Sequence, residues 1–451
     1  MLHFFEKEYI CLFMYRKIYS KLIEWKKSEY RSPLLLRGAR QVGKSYVLQK
    51  FGEHEFPGCH IFNFEMNQNL FSAFENDLDP KRIIKDLSIV SGKKIDTTTE
   101  LLIFDEIQEC PKALTSLKYF CEKMPELHLC CAGSLIGVKL NSESFPVGKV
   151  EFLDLHPLCF EEFLRAMNDN MALELFFDFA GNKKQSDIAH QKLWDYFREY
   201  SVTGGMPQVV ETYIKHRKNA IEAMNKARNI QNRLVESYNN DFAKHSGKVN
   251  SLHIISVFEN IPTQLSANMD RSVKRYQFKD VIQRKKSYAE LQGPIEWLEK
   301  AGLILKVKKC NRSEIPFETF CKENIFKLFI FDIGLLGAML DLPVNMIYTQ
   351  DFGITKGYFA ENFVAQEFIS NSISKLYSWS EKTSEIEFLR IVDNEPVPVE
   401  VKSGKRLQAK SLQQYIDRYS PRLAVKLSGK PLKRNKTSPI QNYPLYWASN
   451  I

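Results

Sequence analysis

The 451-residue sequence predicts an α/β protein: a parallel-sheet core built on a phosphate-binding loop, a helical middle region, and a second α/β region at the C-terminus. Three observations carry this. The apolar run Leu34 to Leu36 leads into Gly38-Ala39-Arg40-Gln41-Val42-Gly43-Lys44-Ser45 and then a helix-like segment. Further on, Leu101-Leu102-Ile103-Phe104 ends in Asp105-Glu106. The last hundred or so residues begin with a helical stretch and continue as short strand-like runs.

The spacing G-x-x-x-x-G-K-[ST] has a mechanism. Gly38 and Gly43 let the backbone curl so that successive N–H groups face phosphate oxygens, and the helix opening at Lys44 adds the positive end of its dipole. Lys44 is expected to reach the β and γ phosphates, and Ser45 to ligate Mg²⁺. Residues 14–30 read as a helix before the loop, with Ile18, Leu22, Ile23 and Trp25 near one face. His60 to Phe64 reads as a second strand.

An entirely apolar strand such as Leu101 to Phe104 fits a parallel strand buried on both faces, and ligands bind at the carboxyl ends of such strands. Asp105 is therefore expected to hold Mg²⁺ through its water shell, and Glu106 to orient and deprotonate the attacking water. A further strand, Leu127 to Ala132, ends at Gly133-Ser134. Ser134 either senses the γ phosphate or positions the attacking water, or else it caps the next helix. Lys149, before the strand Glu151 to Leu155, is either a cation that reaches the nucleotide or a solvated lysine. No N-K-x-D guanine motif occurs, since Asn182-Lys183-Lys184-Gln185 breaks it, so ATP is preferred over GTP.

Composition narrows the class. Hydrophobic residues make up 44% and charged residues 26%, as in soluble globular proteins. No apolar run is long enough for a membrane span, and none has signal-peptide flanks. Nine cysteines without a C-x-x-C pair argue against zinc and a disulfide framework and for a reducing, cytoplasmic setting. The net charge of +9 is unevenly spread: residues 402–436 carry eleven Lys/Arg against Asp417 alone, a net +10 that leaves about −1 elsewhere. A polyanion is expected to bind there, with DNA favoured. A homo-oligomer or a partner protein is also compatible with the sequence.

Together LLLRGARQVGKS, LLIFDEIQ, CCAGSLIG, SFPVGKVEFLDLHPLCFEEFL and TGGMPQVV resemble the bacterial and archaeal AAA-type ATPases that carry a C-terminal domain of unknown function. The resemblance implies a five-stranded P-loop core of the additional-strand class, Gly38 to Ser45 as the phosphate loop, Asp105 and Glu106 as the Mg²⁺ and water residues, and Ser134 as sensor. Many of these relatives have arginine where Lys149 stands, and a subset share the lysine.

Beyond the core, Gly204-Gly205-Met206-Pro207 reads as a tight hinge before a helix that starts at the proline. Residues 251–309 look winged-helix-like: a helix at SLHIISVFENI, the basic run Arg284-Lys285-Lys286, a helix from Tyr288 that Pro294 must kink or delay, and a strand at Leu303 to Val307. The C-terminal order of helix 357–368, strands at 375–379, 385–390 and 397–402, a helix near Leu412 and a strand at 423–427 resembles the PD-(D/E)xK, restriction-endonuclease-like fold. Glu400 and Lys402 alternate along a strand and so share a face. On that resemblance Glu387 and Glu400 surround a divalent metal, Lys402 steadies hydroxide or phosphate, and Glu361 reaches in from the helix. Glu387 stands where aspartate is usual; the region is either an active nuclease or a binding scaffold. The expected divisions are an extension at 1–13, the ATPase core at 14–200, a helical and winged-helix-like region at 201–310, and the nuclease-like domain at 311–451.

Overall fold

A computed structural model describes residues 14–134, 148–178, 185–246, 248–267, 275–350, 356–382, 384–403, 410–433 and 438–451. The chain divides into two compact units, Met1–His156 with Lys300–Gly302, and Pro157–Glu299 with Leu303–Ile451.

In the first unit, helix α1 (Ile18–Lys27) precedes strand β1 (Leu34–Gly38), helix α2 (Lys44–Glu55), β2 (Cys59–Asn63), α3 (Pro80–Ser91), β3 (Leu101–Asp105), α4 (Pro111–Lys123), β4 (His128–Ser134) and β5 (Glu151–Asp154). The five strands form one sheet in the order β2-β3-β4-β1-β5, and every pair is parallel. The apolar runs explain the inner positions. Every residue of β3 is buried, as are the three leucines of β1, because helices cover both faces of a parallel sheet. β5, with alternate residues exposed, forms an edge.

The helices are locally well specified. Asp79 caps α3 by accepting a hydrogen bond from the Arg82 N–H at 3.3 Å, Pro80 fills the first turn, and Gly92 closes the helix with φ of 66°. Its buried face, Ile83, Ile84 and Leu87, joins a cluster with Phe62, Phe64, Phe104, Leu117 and Phe120. Phe104 meets Phe64 and Phe120 edge to face at 5.6 and 6.0 Å.

The second unit opens with helices α5 (Phe160–Ala166), α6 (Asn170–Phe177), α7 (Asp187–Thr203), α8 (Pro207–His216), α9 (Ala220–Ser246), α10 (Lys248–Ala267) and α11 (Tyr288–Lys300). Pro294 lies inside α11 and does not delay its start. Then come β6 (Ile304–Cys310), β7 (Cys321–Ile330), α12 (Ile333–Met339), α13 (Val344–Thr349), α14 (Lys356–Ser370), β8 (Leu376–Glu381), β9 (Ser384–Val392), β10 (Glu395–Lys402), α15 (Lys410–Tyr419), β11 (Ala424–Ser428) and β12 (Ile440–Pro444). A mixed sheet runs β12-β11-β10-β9-β8-β6-β7. β8, β9 and β10 are antiparallel neighbours, and β10 pairs in parallel with β11. The β6–β7 hairpin joins this sheet because β6 pairs in parallel with β8.

The paired glycines, read from the sequence as a hinge, sit at a close backbone crossing. The Gly205 N–H donates to Asp332 Oδ2 at 2.7 Å, and the Gly205 carbonyl accepts from the Leu158 N–H at 2.7 Å. A Cβ at Gly205 would lie 2.0 Å from the Leu158 carbonyl oxygen. These glycines permit a close backbone crossing inside the second unit, with Asp332 buried and its carboxyl pushed up to about 6 by that burial. Among the described residues no helix is long and apolar enough to cross a membrane.

Candidate functional site

The phosphate loop turns on two residues of positive φ, Gln41 at 64° and Gly43 at 95°, and Gly43 is the N-cap of α2. Gly38 is required by a close approach: a Cβ there would lie 2.3 Å from the Leu155 carbonyl oxygen. The Leu155 N–H donates to the Arg37 carbonyl at 2.7 Å, which pins the chain after β5 against the loop. Ala39 and Val42 are buried beneath it, whereas Gln41 and Ser45 are exposed. Lys44 is buried, and its Nζ donates to the carbonyl oxygens of Gly38 at 3.2 Å and Ala39 at 2.9 Å. Burial draws its ammonium down to about 8, opposed by the nearby charges of Glu106 and Asp105; Arg40 pushes it further down.

The two carboxylates stand at the end of β3. Asp105 Oδ1 accepts from Ser45 Oγ at 2.8 Å and from the Glu106 N–H at 3.1 Å, while its Oδ2 accepts from Asn63 Nδ2 at 2.9 Å. Glu106 takes the left-handed conformation, φ 50°, which turns the chain away from the strand. Glu106 Oε2 accepts from Gln108 Nε2 at 2.6 Å, and Gln108 Oε1 accepts from the Ser134 N–H at 3.3 Å. Gln108 thus joins the general-base candidate to the end of β4, where Ser134 is in register with Gly38. A hydroxyl and a carboxylate supply hard oxygen donors, which fits Mg²⁺ carried in with a triphosphate.

Sequence reasoning missed Asn63, Gln108 and Arg16. Asn63 had a signal, being a polar residue at the carboxyl end of a strand that pairs with β3 in the register Asn63↔Asp105. Gln108 follows the two acids at short range. Arg16 had none: its Nη1 donates to the Val42 carbonyl at 2.8 Å and its Nη2 to the His156 carbonyl, tying the loop to residues far along the chain. Lys149 pairs with Glu122 at 3.3 Å on the surface.

In the second unit, Lys402 Nζ lies 3.0 Å from Glu400 Oε1 and 3.8 Å from Glu387 Oε1, so three of the four residues singled out there meet. Glu387 Oε2 also accepts from the Val401 N–H at 3.0 Å. Burial pushes the Glu387 carboxyl up to about 7, opposed by the Lys402 ammonium. Glu361 instead pairs with Lys327 at 2.8 Å, and Lys327 lies equally close to Glu385. Burial disfavours charge on Lys327, but Glu361, Glu385 and Glu387 hold its ammonium above the usual range. Lys327 and Glu385 went unrecognised in the sequence. Among the described residues, no group of three or more His, Cys, Asp or Glu side chains is placed to hold a metal ion. The glutamates are gathered with lysines as counter-ions.

The basic segment is also less uniform than its count. Arg418 pairs with Glu381, Arg422 with Glu395 at 3.2 Å, and Lys426 is buried. Lys410, Lys430 and Lys433 are exposed. Lys405, Arg406, Arg434 and Lys436 lie outside the described residues.

A glycine loop that caps a helix below the carboxyl edge of a five-stranded parallel sheet, facing an Asp-Glu pair, defines a P-loop ATPase-like domain. Residues 30–164 match the family model described as an AAA domain. Residues 195–345 and 356–446 match two domains of unknown function (DUF8612 and DUF4143). No curated protein matches the chain. Among solved structures, a chain from the structure of Drosophila ORC bound to DNA is 12% identical, with a TM-score of 0.26 over 71% of this chain and 94% of that one.

Proposed function

We propose that this protein binds ATP with Mg²⁺ and hydrolyses it, and that its nucleotide state controls the engagement of nucleic acid, DNA by preference. The observation that carries the first part is the 2.8 Å contact of Ser45 with Asp105, beside the buried Lys44. Ser45 and Asp105 would hold the metal, the loop N–H groups and Lys44 the phosphates, and Glu106 the attacking water, with Ser134 at the far side of Gln108. The second part is supported by the net +10 of residues 402–436 and the exposed Lys410, Lys430 and Lys433. The helices α10 and α11 followed by the strand β6 support a winged-helix-like reading of residues 251–309.

The order α14, β8, β9, β10, α15, β11 supports a nuclease-like scaffold for the C-terminal region. The pairing of its glutamates with Lys327 and Lys402 favours a second reading, in which that scaffold cuts nothing and the chain is a nucleotide-switched module for a partner protein.

Titration of ATP with Mg²⁺ into wild type and Lys44→Ala tests the site. Loss of binding in the variant is expected, and wild-type binding or turnover by it would overturn the assignment. The ATPase rate with and without DNA, across salt, then separates the two readings. Stimulation that fades with salt supports nucleic acid, and indifference to DNA supports a protein partner.

A further inference from the structure

Cys310 and Cys321 are Cα partners on the antiparallel strands β6 and β7. Residues directly opposite on such strands have Cα atoms about 4.5–5.5 Å apart, inside the roughly 4.4–6.8 Å window a disulfide requires. Their Sγ atoms are 2.7 Å apart, with both residues present as free thiols. The chain between them is held as a tight excursion, since the Asn311 N–H donates to the Phe320 carbonyl at 3.1 Å. Both sulfurs also lie near the Phe317 carbonyl oxygen, at 3.6 and 3.3 Å.

The two thiols are unequal. Cys310 is buried in a cluster with Phe317, Trp379 and Tyr415, while Cys321 is half-buried at its margin. The hydrogen bond between them raises the Cys310 thiol and holds Cys321 below the usual thiol range, with Lys308 assisting. An accessible, more acidic sulfur touching a buried one is the arrangement of an attacking and a resolving thiol. Cys130 and Cys131, by contrast, point to opposite faces of β4 and are fully buried.

We propose that Cys310 and Cys321 form a dithiol site that closes to an intramolecular disulfide by exchange with a low-molecular-weight disulfide. The Cys321 thiolate attacks one sulfur of the small disulfide, forming a mixed disulfide and releasing one thiolate. Cys310, after giving its proton to water, attacks the Cys321 sulfur and releases the second. The protein loses two protons and two electrons, and the small disulfide is reduced to two thiols. The product staples β6 to β7 and fixes the loop that carries Phe317 and Glu318.

The test is treatment of the folded full chain with oxidised glutathione, alkylation of remaining thiols, and tryptic mapping. Cleavage after Lys309, Arg312 and Lys322 places the two cysteines on separate peptides, so the bond joins two fragments that a reductant separates. The expected result is that linked pair in wild type and a glutathione adduct retained on Cys321 in Cys310→Ser. Alkylated Cys310 and Cys321 in treated wild type, or an adduct on wild-type Cys321 that never resolves, would overturn the proposal.

Discussion

Ser45 Oγ and Asp105 Oδ1 are joined by a 2.8 Å hydrogen bond between the first turn of α2, which follows β1, and the end of β3, which β4 separates from β1 in the sheet. The contact brings a hydroxyl and a carboxylate to one point above the sheet. Asp105 is further held by Asn63 from the opposite side.

That second contact makes Asn63 a positioning residue. With Asn63→Ala the carboxylate loses one of its two side-chain donors, and outer-shell partners of this kind are worth roughly 10–100-fold in metal affinity. The Mg²⁺ concentration for half-maximal ATPase activity should rise by that order, while nucleotide binding without metal stays unchanged. An unaltered Mg²⁺ dependence would remove Asn63 from the site.

Glu106→Gln should keep ATP binding and reduce turnover by roughly 10²–10⁴-fold, the usual contribution of a positioned general base. Gln108→Ala leaves Glu106 chemically intact but removes its 2.6 Å tether, so a smaller loss of kcat with unchanged KM is expected. Single-turnover hydrolysis measures both. Equal losses in the two variants would mean that Gln108 does more than position Glu106.

Stability of the second unit should depend on pH through Glu387. Its folded carboxyl lies near 7 against an ordinary 4.5, so between those values the folded state holds a proton that the unfolded state has lost. The stabilising contribution is complete below about 4.5 and disappears as pH rises through about 7, by up to about 3 kcal/mol. Denaturant midpoints at about pH 5 and about pH 8 should differ in wild type and converge in Glu387→Gln. Identical slopes in both proteins would rule the group out.

Gly205→Ala places a methyl group against the Leu158 backbone, which cannot swing aside as a side chain can. A loss of about 1–3 kcal/mol or more is expected, as for overpacked cores. Chemical denaturation of the full chain reads this as a lower midpoint. A neutral substitution would show that the crossing tolerates a side chain and remove the close-approach requirement.

Features encoded by neighbouring residues were legible in the sequence, and features made by distant partners were not. The loop from Gly38 to Ser45 was legible because its chemistry is encoded in consecutive residues, and β3 because a strand buried on both faces must be apolar throughout. Arg16 and Lys327 were not legible, since each acts through a partner brought near by the fold. Lys327 lies 34 positions from Glu361 and shares no pattern with it. The charge count of residues 402–436 could not show which cations are paired, for the same reason: Glu381 and Glu395, which pair with Arg418 and Arg422, precede that window. The close crossing at the double glycine was not legible, because small residues serve crossings as well as bends and the partners there, Asp332 and Leu158, are distant in the chain.

The position of β1 bears on how the protein is made. Both of its neighbours, β4 and β5, come later in the chain, so during synthesis Leu34 to Gly38 waits without a hydrogen-bonding companion until residues 128–154 have left the ribosome. For that interval a leucine-rich segment is an open template for other nascent chains. Fragments that stop before His128 should therefore be sticky and unable to retain nucleotide, even though they contain every residue of the glycine loop.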